Sequence, residues 1–124
     1  MQPFDVSAHL QGVTLQEDLI LGETYTLIVD VAISDKTLYA GKLFSELEFL
    51  LVLSGKRVES SEAVKRFRSS AENKNAHAEF QIVFCETGSF EFYCDFFADR
   101  EWFERKAIYV TIATAPYRST KIRA

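Results

Sequence analysis

Between His77 and Thr114, apolar and polar residues alternate in three successive runs separated by two short turn signals. Side chains on an extended strand point to opposite faces in turn, so this alternation demands antiparallel sheet with one face buried. Phe80, Ile82 and Phe84 share a face in the first run. Phe90, Phe92, Cys94 and Phe96 do so in the second, and Ile108, Val110 and Ile112 in the third. The turn Glu86-Thr87-Gly88 predicts a hairpin that pairs Phe84 with Phe90 and Ile82 with Phe92, with Gly88 at the left-handed bulge position. A second turn, Ala98-Asp99-Arg100, predicts Phe96 opposite Trp102, and Glu104-Arg105-Lys106 breaks the alternation and marks a bulge or bend.

The rest of the chain extends the same reading. Thr24–Ile33 is a strand with Tyr25, Leu27, Val29, Val31 and Ile33 on one face, and Glu46–Leu53 another with Leu47, Phe49, Leu51 and Leu53 inward. Leu50 and Val52 make the second face of that strand partly apolar. Val64–Arg68 reads better as an edge strand guarded by its bases than as a short helix capped by Ser60 or Ser61. Residues 1–21 are a lead-in in which Leu19-Ile20-Leu21 could form an edge, 34–45 a loop, and 115–124 a flexible tail beyond the sheet. The expectation is one domain over residues 1–124: an all-β, antiparallel β-sandwich of six to eight strands, of a size that buries about two thirds of its unfolded surface.

Charge narrows the partners. The chain carries −4 at pH 7. Residues 1–54 hold eight acids and two bases (−6), and residues 55–124 hold ten acids and twelve bases (+2). Lys56, Arg57, Lys65, Arg66 and Arg68 cluster locally, but with Phe67 as the sole interleaved aromatic they do not make a nucleic-acid surface. No segment has the about 18 apolar residues that span a membrane, and the first residues lack the basic and apolar regions of a secretory signal. A cytoplasmic protein is expected, with no nucleic acid and no membrane span.

The residues that carry chemistry are dispersed. Cys85 and Cys94 fall on opposite faces of their strands, which precludes a disulfide and predicts two free thiols. His77 lies eight residues before Cys85 along one strand, too far to activate it. His9 and His77 belong to no zinc-ligand spacing. Gly41-Lys42 and Gly55-Lys56 lack the remainder of a phosphate loop. Asp30, Asp35, Asp95 and Asp99 are too scattered for the six to eight oxygens of a calcium site and read as solvated carboxylates. The expectation is no enzyme, no cofactor and no metal.

The outward aromatics remain. Tyr93, Phe97, Phe103 and Tyr109 fall opposite the core set of the last strands, where an antiparallel sheet ordinarily presents polar residues to water. Residues 1–21 or 34–45 cover them, or they form a protein-contact patch flanked by Arg100 and Arg105, or they are a platform on which a sugar stacks. The best functional reading is a non-catalytic protein–protein interaction or scaffolding module whose partner is another protein or domain. A sandwich that binds carbohydrate or calcium-dependent lipid, and a small inhibitor that masks a host protein, stay open as alternatives.

Gly22-Glu23, Tyr25 and Leu27, the run Phe49–Leu53, Ala78-Glu79-Phe80, the Gly88 turn, Asp95-Phe96-Phe97 and Trp102 before a final Ile-x-Val-x-Ile strand form a recognisable series. Over residues 22–114 it resembles the immunoglobulin-like β-sandwich accessory modules of bacterial multidomain signalling and conflict proteins. The resemblance implies an Ig-like layout and a module that docks against other domains or chains, without catalytic residues.

Overall fold

The computed structural model describes residues 4–13, 18–33, 48–68 and 75–114. These form nine strands: β1 (Phe4–Leu10), β2 (Leu19–Ile20), β3 (Thr24–Ile33), β4 (Glu48–Ser54), β5 (Val58–Ser60), β6 (Val64–Arg68), β7 (Asn75–Phe84), β8 (Gly88–Ala98) and β9 (Glu101–Ala113). They make two sheets, one of order β1-β3-β7-β5 and one of order β2-β9-β8-β4-β6, and one sheet is strongly curled into a half-barrel. The all-β expectation holds, with two departures. There are nine strands where six to eight were expected, and the β2–β9 pair is parallel. The added strand comes from the segment read as a lead-in. In β1, Phe4, Val6 and Leu10 are buried while Asp5, Ser7 and His9 face water, a period-two pattern that alternation alone explains. The expected tail, 115–124, lies outside the described residues, as does the loop 34–45.

The first predicted hairpin does not form. β7 pairs with β3 and β5, whereas β8 pairs with β4 and β9 in the other sheet. Residues 85–87 therefore carry the chain from one sheet to the other. Phe84 still meets Phe90 and Phe92, with ring centroids 6.1 and 5.7 Å apart, but across the core instead of side by side. Among the described strands, β8–β9 is the one hairpin; each other step along the chain changes sheet.

The core is aromatic. Phe4 of the four-stranded sheet contacts Phe49, Phe96 and Phe103 of the other at centroid distances of 5.5, 5.3 and 5.0 Å, all edge-on. Each such pair contributes about 0.5–1.5 kcal/mol beyond the area it buries. β6 is an edge strand, as expected, and its Phe67 stacks inward on Phe49 at 5.3 Å while Arg66 and Arg68 are exposed. Ile20 N–H donates to the Tyr25 hydroxyl at 2.7 Å and ties β2 to the facing sheet.

Candidate functional site

The turn and bulge of the β8–β9 hairpin decide what faces outward. Ala98 pairs with Glu101, so the loop is Asp99-Arg100 alone, both at positive φ (51° and 73°). That is the signature of a type I′ turn. The ladder then slips between Phe96 and Phe97: Phe97 opposes Trp102, Phe96 opposes Glu104, and Phe103 is the extra residue. In a regular strand Trp102 and Arg105, three apart, would point to opposite faces. The bulge puts both on the outer face.

There they converge on Asp95. The Trp102 indole N–H donates to Asp95 Oδ1 at 3.0 Å, and the Arg105 guanidinium donates to Oδ1 and Oδ2, each at 3.0 Å. Asp95 is 7% exposed, the one buried charged residue among those described. Its charge-assisted bonds to Arg105 outweigh the effect of burial and, with the Trp102 bond, hold its carboxyl below the ordinary value. Arg105 in turn stacks over Tyr93, 4.3 Å from the ring centroid, and the Tyr93 hydroxyl donates to Glu91 at 3.4 Å.

Around this cluster the face mixes apolar side chains with charged ones. From β6 across β4 and β8 to β9, Arg66, Leu50, Phe97 and Trp102 align in one row, and Val64, Val52, Asp95 and Arg105 in the next. Tyr109 stands opposite Glu91. The large hydrophobic side chains exposed among the described residues are Val64 (44%), Trp102 (58%) and Tyr109 (69%), and all three lie on this face. The outer face of the other sheet is polar: Ser7, Asp30 and His77 make one row and Thr26 and Gln81 belong to another. His77 lies 2.9 Å from Glu79 and 2.7 Å from Asp30, and because both carboxylates accept from the protonated ring they raise its pKa.

Of the expected contact residues, Tyr93, Phe97, Tyr109 and Arg105 share the outer face and Arg100 lies exposed in the turn at its end. Phe103 does not join them. The bulge turns its ring inward against Phe4 and Phe96. Sequence reasoning passed over Trp102, which a one-residue error in turn length placed on the core side. It also passed over Asp95, whose outward position was seen but whose partners were not. Of the segments expected as a cover, 4–13 and 18–21 instead build β1 and β2 and their turns.

The cysteines offer little reactivity. Burial, with Asp95 beside it, pushes the Cys94 thiol up to about 12. Cys85 is exposed, and desolvation and the neighbouring Glu59 hold it above its ordinary value. Among the described residues no group of three or more His, Cys, Asp or Glu is placed to hold a metal ion. No protein-family model matches the chain, and no curated protein matches it in sequence.

Proposed function

We propose that this chain is a non-catalytic protein-interaction or scaffolding module that docks through the outer face of its five-stranded sheet. The observation that carries this reading is the gathering of Val64, Trp102 and Tyr109 on one face while the opposite outer face is polar. Trp, Tyr and Arg are the residues that concentrate binding energy at protein interfaces. Here Trp102 and Arg105 are already held by Asp95, so docking immobilises fewer rotamers than it would on an unbraced surface.

The strand order supports an Ig-like layout. The neighbours β1-β3-β7-β5 follow the A-B-E-D order, and β9-β8-β4 the G-F-C order, of an immunoglobulin-type sandwich, with β2 and β6 added at the edges. The B-to-F disulfide of antibody domains has no counterpart, since Cys94 is free. Docking against another domain or chain of a bacterial signalling or defence assembly is the context that the Ig-like resemblance implies.

Affinity capture from source cells tests the reading with two double variants. Trp102→Ser with Tyr109→Ser removes the largest exposed rings. Val64→Ser with Tyr109→Ser leaves the Asp95 cluster whole. A discrete partner held by the native chain and lost from both variants, at unchanged melting temperature, is the expected result. Retention of that partner by both variants overturns the reading.

A further inference from the structure

Toward the β4–β5 turn the outer face ends in an open groove of about 630 Å³. Lys56 and Arg57 enter it from the turn, Phe90, Glu91 and Tyr93 from β8, and Arg105 from β9. The turn is set close to the sheet. A Cβ at Gly55 would lie 2.8 Å from Phe92 Cβ, an approach only glycine permits, so the two bases that follow are brought down beside β8. Arg57 stacks 5.1 Å from the Phe90 ring centroid, as Arg105 does on Tyr93. Two aromatic rings thus hold two guanidinium planes along one groove.

Three cations line the groove, and three carboxylates stand against them: Glu91 in the lining, Glu86 on Arg57 and Asp95 on Arg105. Arg57 is shared with Glu86 at 3.5 Å and Arg105 with Asp95, while Lys56 has no ion-pair partner among the described residues. We propose that this groove receives an acidic segment of the partner protein. One Asp or Glu carboxylate would sit beside Lys56, and an adjoining apolar side chain would lie against the exposed edge of Tyr93. The inference rests on the docking reading above and names the chemistry of the partner. It favours a peptide over a nucleic acid for two reasons. Both arginines are already paired with carboxylates and Lys56 is the groove's cation without an ion-pair partner among the described residues, so the site suits a single carboxylate, and an acidic molecule repels a long polyanion.

A random-peptide phage library panned on the 124-residue chain tests it, with Lys56→Glu/Arg57→Glu as the counter-target. Lys56→Gln/Arg57→Gln serves if charge reversal unfolds the protein. Enriched peptides should pair Asp or Glu with an aromatic or aliphatic residue. A synthetic peptide of that sequence should bind the variant about tenfold or more weakly, and more weakly in high salt. Neutral or basic winners, no enrichment, or equal binding by native and variant chains overturn the proposal. So does displacement of the peptide by inorganic phosphate or a single-stranded oligonucleotide at equal charge concentration. If Val64→Ser/Tyr109→Ser loses a captured partner that Lys56→Glu/Arg57→Glu holds at full strength, docking on the face stands and the groove proposal falls.

Discussion

Asp95 is where the chemistry of single residues matters most. It is a nearly buried carboxylate beside Val52 and Phe97, and it is tolerated because three N–H donors meet it. Removing it leaves a guanidinium and an indole without their acceptor, and hydrogen bonds to charged groups are each worth about 1.5–3 kcal/mol. Since Arg105 is half exposed and can turn to water, Asp95→Ala should cost less than a fully buried pair would, about 1–3 kcal/mol in urea unfolding. Asp95→Asn keeps one oxygen for Trp102 and Arg105 Nε but loses the charge and the acceptor of Arg105 Nη2, so it should cost less than Asp95→Ala. The pH dependence follows from the depressed native pKa. The carboxylate's contribution is complete above its unfolded value, about pH 4, and is lost as pH falls through the native value. The gap in urea midpoint between native chain and Asp95→Asn should therefore be largest near neutrality and close in acid. A gap that does not narrow as pH falls below the unfolded value would mean that charge is not what Asp95 supplies. In sequence Asp95 was legible only as an outward acid. Its partners depend on a register, and the observed pairing of 95 with 105 needs a two-residue turn followed by a bulge. Broken alternation marked a bulge at Glu104-Arg105-Lys106, next to its place at Phe103, but periodicity does not specify the turn length.

The β8–β9 hairpin shows the same limit in a whole element. All three strands from Asn75 onward were visible as alternating runs, and β3, β4 and β6 likewise. Alternation assigns each side chain a face, but it does not say whether two like faces lie side by side or opposite. For Phe84 and Phe92 both arrangements bring the rings together, and only the topology distinguishes them. The turn itself carries a strain that can be measured. A type I′ turn requires positive φ at both central residues, and Arg100 sits at 73° without the freedom of glycine. Arg100→Gly should stabilise the chain by about 0.5–1 kcal/mol and raise its melting temperature by a few degrees. The mutant should also keep the hairpin register, so that the indole N–H resonance of Trp102, the chain's single tryptophan, stays in place. A lower melting temperature would show that the Arg100 side chain does more than tolerate its backbone.

The molecule as a whole is tied together by its connectivity. Because the chain changes sheet at nearly each step, neither sheet is a continuous stretch that could form first and persist alone. Phe4 makes the dependence concrete. It belongs to an edge strand of the four-stranded sheet, yet its ring is wedged against Phe49, Phe96 and Phe103 of the other. The outer face with Trp102 is the far side of that same hairpin, so the docking surface inherits its shape from the inter-sheet aromatic cluster. Phe4→Ala should therefore cost about 3–5 kcal/mol, the usual penalty for emptying a buried Phe site. The loss should not be confined to β1. Trp102 emission reports on the five-stranded sheet and far-ultraviolet dichroism on both. In urea the two signals should trace one coincident transition for the native chain, and both should shift by the same amount in Phe4→Ala. If the dichroism change of the mutant came at lower urea while the Trp102 transition stayed where it was, the four-stranded sheet would be unfolding on its own. The face that presents Trp102 and Tyr109 would then be supported by the five-stranded sheet alone and not by the core between the sheets.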